Sequence, residues 1–196
     1  MKTCLLYGPI NFSDPDPAPP NSKSRLYKKL HTLLYELYQN GYGTFLCDFR
    51  RGADFWMGST ALEVKNRHPG MEVRRIFAHS DLLLNPEYIT AGLLDKQCDA
   101  VWNLRVPPGY ESEVLFLEDS PVTCDCLLFL YDETSLDWHD RWLIAAAQNI
   151  RALVLLLNIH TLDVSYYCIP DRWKFFHAFP RRRDRVCHRY HVTDIL

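Results

Sequence analysis

Residues 44–78 read TFLCDFRRGADFWMGSTALEVKNRHPGMEVRRIFA, and this stretch decides the fold. Thr44-Phe45-Leu46-Cys47 is a short unbroken apolar run, the pattern of a strand buried on both faces. Asp48-Phe49-Arg50-Arg51-Gly52 turns the chain into a helix that runs to about Arg67. His68-Pro69-Gly70 stops it, because proline cannot continue a helix and glycine takes the backbone angles that end one. Met71 to Ala78 then alternates apolar and basic residues and reads as another strand. Strand, helix and strand in so short a span form a βαβ unit, whose strands run parallel.

Working outward, Thr3 to Tyr7 is a strand that stops at Gly8-Pro9, and the proline-rich segment 11–21 is a loop. Ser22 or Ser24 caps a helix in which Leu26, Leu30, Leu33, Leu34, Leu37 and Tyr38 share one face. Asn40-Gly41 closes it. Beyond the central unit, Asn85-Pro86 starts a helix with Ile89, Leu93 and Leu94 on one face. Asp99 to Leu104 is a fourth strand, broken by Pro107-Pro108-Gly109. Cys124 to Tyr131 is a buried strand ending in the acidic turn Asp132-Glu133, and its Cys124 and Cys126 thiols are expected on one face. Ser135 or Asp137 caps a helix carrying Trp138, Trp142, Ala145 and Asn149, and Ala152 to Leu157 is the last strongly apolar strand.

Strands alternating with helices in this way predict an α/β, Rossmann-like three-layer fold with a mostly parallel central sheet, spanning residues 1–163. From Val164 the pattern changes to crowded Tyr, Trp, Phe and Arg, and residues 164–196 are set apart as an aromatic and Arg-rich extension.

The totals narrow the function. Of 196 residues, 47% are hydrophobic and 23% charged, which excludes a disordered chain, and a net charge of −2 gives no global pull toward nucleic acid or an anionic membrane. No apolar run is long enough to span a bilayer. The apolar stretch behind Lys2 is too short for the core of a signal peptide, so a cytoplasmic protein is expected. The seven cysteines are accordingly read as reduced, and mostly as small core residues.

In an open parallel sheet, ligands bind beyond the carboxyl ends of the strands. The turn after the second strand belongs to that rim and sets Arg50, Arg51, Gly52 and Asp54 at a helix amino terminus. Backbone N–H groups and the helix dipole favour an anion there, and arginine adds bidentate phosphate contacts. Tyr7 and Gly8 at the end of the first strand, His79 after the third and Asp132 after the fifth belong to the same rim. His79 has no nucleophile near it in sequence, so it is read as lining the site, not as a general base.

The segment with Gly52, Asp54, Trp56, Leu62, Lys65 and Pro69 resembles the YpsA-like branch of the SLOG superfamily, Rossmann-like relatives of DprA and LOG proteins. That branch shows a strand, a Gly-x-Ala-x-Gly-x-Asp turn, an aromatic helix entry and a Leu-Lys-x-x-x-Pro helix end. Asp125 and Leu127 to Asp132 are similar to the family's second ligand-side strand. The resemblance follows element order over residues 1–158, and its specific part is the segment around Gly52. It implies a nucleotide or nucleotide-derived ligand and a setting in bacterial or phage conflict. Asp48 and Arg50 stand where the family has its first turn glycine and its alanine, and Asp132-Glu133-Thr134-Ser135 replaces the Gly-Gly-Thr turn. The glycine-rich motif of LOG-type hydrolysis is missing, so binding without catalysis is expected. The alternative is an interaction protein that engages a protein or nucleic-acid partner through Arg181, Arg182, Arg183 and Arg185. Cys168, His177, Cys187, His188 and His191 are zinc-type ligands at a spacing that matches no strong zinc pattern, so neither metal nor cofactor is expected.

Overall fold

The computed structural model describes residues 1–9, 12, 14, 23–49, 52–77, 94–103, 124–132, 144, 147 and 152–167. The apolar runs become strands: β1 (Lys2–Tyr7), β2 (Tyr42–Cys47), β3 (Glu72–Phe77), β4 (Ala100–Asn103), β5 (Cys126–Tyr131) and β6 (Leu153–Asn158). Every residue of β2, β5 and β6 is buried, as expected of strands covered on both faces. A seventh strand, β7 (Val164–Tyr167), completes one sheet in the order β4-β3-β2-β1-β5-β6-β7. All pairings are parallel except that of β6 with β7.

Helix α1 (Arg25–Gln39) buries the leucine stripe at 26, 30, 33, 34 and 37. Ser24 caps it, its hydroxyl accepting a hydrogen bond from the Tyr27 N–H at 3.1 Å. Helix α2 (Ala53–Arg67) carries Asp54 in its first turn and Lys65 and Arg67 in its last, each sign matching the dipole at its end. Both helices pack on one face of the sheet, against Cys4, Leu6, Phe45, Leu128 and Leu155. Ile144 and Ala147, both helical, pack on the other face with Leu5, Leu46, Leu127 and Val154. The handedness of parallel crossovers explains this split. The chain steps one way from β1 to β4 and the opposite way from β5 to β6, so the two sets of crossovers cover opposite faces. This is an α/β protein of Rossmann-like fold.

Beyond β6, the last strongly apolar strand, the chain reverses through residues 159–163 into antiparallel β7, which lies along the edge of the sheet. The side chain of Asn158 shapes that reversal, accepting hydrogen bonds from the His160 and Thr161 N–H groups at 2.8 and 3.0 Å. A four-residue edge strand reading Val-Ser-Tyr-Tyr has too little apolar periodicity to stand out in the sequence. One expectation is corrected: the Cys124 and Cys126 thiols do not share a face, because Cys126 joins the α1–α2 face, while Cys124, just ahead of the strand, joins the opposite core. Burial pushes the Cys124 thiol up to about 12, so it stays protonated as a small core residue.

Near β4, Asp99 ties the start of β3 to the end of α2. Its carboxylate accepts from the Val73 N–H at 2.7 Å and pairs with Lys65 at 2.8 Å. Partial burial pushes its pKa upward, but the Lys65 ammonium and the Val73 N–H outweigh that and hold it below the ordinary value. A carboxyl depressed on folding contributes stability above its unfolded pKa and loses it as pH falls through the folded one. Asp99→Asn is therefore expected to lower the melting temperature at pH 7 and to converge on the wild type in strong acid. Melting curves across that range check this, and a pH-independent difference would show that the charge plays no part.

Candidate functional site

The strand order reverses between β1 and β5. From β1 the chain proceeds through β2 to β4 on one side, and then returns to place β5 on the other. In parallel α/β sheets, such a reversal separates the loops at the carboxyl ends and leaves a crevice between them. Tyr7 and Gly8 end β1 on one side of this crevice, and Asp132 follows β5 on the other. Gly52, at the amino-terminal cap of α2, stands at the same rim behind β2, with a φ of 81° that suits glycine. The sequence expectation that the Arg-Arg-Gly corner lies at the carboxyl rim concerns a turn of which Asp48, Phe49 and Gly52 are described. Arg50, Arg51 and His79 lie outside the described residues, as do Arg181, Arg182, Arg183 and Arg185.

The β1 end and the α2 amino terminus are joined directly. Asp54 is almost fully buried at 1% exposure, and its carboxylate accepts the Gly8 N–H at 2.8 Å. In return the Ala53 N–H donates to the Pro9 carbonyl at 3.0 Å. Gly8 is forced by this contact: a Cβ there would lie 2.5 Å from the Ala53 Cβ and 3.2 Å from the Leu130 Cβ. Asp54 thus braces two loops and at the same time complements the positive end of α2. Phe49, with φ 57° and no exposure, fills the inner side of the corner, lying in the notch left by Gly58 on α2. Tyr7 is buried in the opposite core, stacked on Phe129 with ring centroids 5.5 Å apart.

A second brace comes from β3. Arg75, whose side chain is 3% exposed, donates from Nε to the Asp48 carbonyl at 3.3 Å and from Nη1 to Asp95 at 2.6 Å. Asp95 opens a short 3-10 turn (Asp95–Gln97) leading toward β4. On the far side of the crevice, Asp132 pairs with His160 of the β6–β7 turn at 3.3 Å.

The structure therefore brings Tyr7, Gly8, Gly52, Asp54 and Asp132 to one rim, with Gly8 and Asp54 in contact. Sequence reading missed Arg75, Asp95 and His160. Arg75 shares its strand parity with buried Val73, so a cation was due at an inward position. Its partners, however, come from turns remote in sequence. His160 sits in a turn whose strand was not recognised. Among the described residues, no group of three or more His, Cys, Asp or Glu is placed to hold a metal ion, and no helix is long and apolar enough to cross a membrane. No protein-family model matches this chain, and no curated protein sequence matches it. What the fold and the rim define is a class: a Rossmann-like α/β protein with a braced corner at a topological switch point.

Proposed function

We propose that this chain is a binding module for a nucleotide or nucleotide-derived ligand, held over the carboxyl ends of β1 and β5 and not chemically altered there. The strand-order reversal between β1 and β5 carries this reading, because it creates the crevice in which such sheets bind ligands. Asp132 supplies a carboxylate at the β5 side, suited to accept a ribose hydroxyl. The α2 amino terminus contributes less than a bare helix end, since Asp54 already complements its dipole and Pro9 accepts the Ala53 N–H. Phosphate charge then has to be met by cations, which the sequence supplies as Arg50 and Arg51 beside Gly52.

Isothermal titration with a panel of nucleotides, ADP-ribose-type ligands included, tests the proposal. Binding is expected to weaken with salt, and to weaken about tenfold or more in Arg50→Ala/Arg51→Ala, as loss of charge-assisted hydrogen bonds implies. The bound ligand is expected to come back intact by mass spectrometry. Absence of binding to the wild type retires the proposal, unchanged affinity in the double variant removes the arginines from it, and release of base or phosphate overturns its non-catalytic part.

A further inference from the structure

Beside the first turns of α1 and α2, residues ahead of α1 (Asp14, Lys23, Ser24) join Tyr27 of α1 and Trp56, Ser59, Thr60 and Glu63 of α2 in lining an open cavity of about 300 Å³. Tyr27 and Trp56 supply aromatic wall, their rings edge-to-face at 6.3 Å, and Phe12 packs on Trp56 at 5.5 Å. The polar groups facing the cavity are mostly acceptors. Ser59 and Thr60 have given their hydroxyl protons to the Phe55 and Trp56 carbonyls at 2.7 and 2.8 Å, which leaves oxygen lone pairs to offer. The Tyr27 hydroxyl donates to Glu63. Glu63 stays ionised: burial pushes its pKa upward, but the Tyr27 hydroxyl and the Lys23 ammonium outweigh that and hold it below the ordinary carboxylate range.

One cation lines this cavity among the described residues, Lys23. Its ammonium lies 4.1 Å from the centroid of the Tyr27 ring and 3.0 and 3.1 Å from the two Glu63 oxygens. An aromatic face together with a carboxylate is the arrangement that selects an organic ammonium over an anion. Lys23 is half exposed, and ion pairs of that kind contribute little, so an ammonium from outside can replace it at small cost.

The geometry points to this cavity as a binding site for a small primary amine of the diamine or polyamine class, with the Lys23 side chain as a built-in competitor seated where the ligand's ammonium goes. The site is independent of the crevice between β1 and β5, and either proposal can fail without the other. An anion would meet acceptors on most of the wall, and a neutral ligand could not take the place of the Lys23 ammonium beside Glu63. The competitor holds part of the free protein in a blocked state, and the apparent affinity falls with the fraction left open.

Cadaverine, whose five-carbon chain imitates the lysine stem, is the probe, titrated by calorimetry into the full chain. The wild type is expected to bind weakly and Lys23→Ala about three- to fivefold tighter, the release that a half-exposed ion pair of small worth allows. Adding Glu63→Gln to Lys23→Ala is expected to abolish binding, with unchanged melting behaviour as the check on folding, and 1-pentanol is expected not to bind. Equal affinity of wild type and Lys23→Ala overturns the proposal, as does retention of binding in the double variant. If Glu63→Gln unfolds the chain, Lys23→Ala/Tyr27→Leu takes its place, and an affinity for cadaverine equal to that of Lys23→Ala overturns the proposal. Tighter binding of a lysine-containing peptide than of cadaverine overturns the assignment to a free amine.

Discussion

Gly8→Ala is expected to destabilise the protein by about 2–3 kcal/mol, near the upper end of what one inserted methyl group costs in a packed interior. The added Cβ would lie 2.5 Å from the Ala53 Cβ, and neither atom can step aside by rotating a side chain. Backbone movement is blocked as well. Gly8 is held by the Asp54 carboxylate at 2.8 Å, and the Ala53 N–H by the Pro9 carbonyl at 3.0 Å, so separating the two residues breaks both hydrogen bonds. For a chain of this size the loss corresponds to a fall in melting temperature of roughly 5–10 °C. Ala53→Gly alone is expected to cost at most about 1 kcal/mol, the helix propensity difference. In the double variant the removed methyl makes room for the added one, and most of the Gly8→Ala loss is expected to return. Urea unfolding of the four proteins checks this. Simple additivity would show that the steric contact is not what demands glycine at this position.

The Arg75→Ala effect is expected to be as large, about 3 kcal/mol. The guanidinium is buried at the carboxyl end of β3 and spans two turns, bonding the Asp48 carbonyl at 3.3 Å and Asp95 at 2.6 Å. Removing it leaves a hole and takes a charged donor from a buried carbonyl, while Asp95 is partly exposed and can turn to water. Arg75→Met fills most of the hole and is expected to cost less than alanine. Arg75→Lys keeps the charge but not the fork, and one ammonium cannot reproduce both contacts at these positions. A double-mutant cycle with Asp95→Ala is expected to give a coupling of about 1 kcal/mol or more. A coupling near zero would assign the Arg75 effect to packing and to Asp48. Because Arg75 supports the corner that leads to Gly52, its loss is also expected to weaken any ligand held there.

Most of the elements were legible because each is announced by local chemistry. The leucines of α1 repeat at helical spacing behind Ser24, and Ser24 does cap the helix. The boundary of α2 at His68-Pro69-Gly70 follows from what proline and glycine can and cannot do. β2, β5 and β6 are unbroken apolar runs, and the sheet buries every one of their residues. β7 was not legible, because an edge strand of four residues needs only one partner and little apolar area. The candidate site was half legible. Gly8, Gly52, Asp54 and Asp132 announced themselves as turn residues at strand ends, but their relations did not.

Taken alone, the amino-acid sequence determined strands β1 to β6 and helices α1 and α2 among the described segments, their alternation, and hence that the sheet is mostly parallel, since periodicity and capping act between residues a few positions apart. Only the tertiary structure decided the strand order, the reversal between β1 and β5, and the pairing of Asp54 with Gly8, of Arg75 with Asp48 and Asp95, and of Lys23 with Glu63. Those contacts join residues from separate elements, and no local pattern encodes which of several acids a given amide or cation will meet. That choice is made when the faces of the elements are buried against one another.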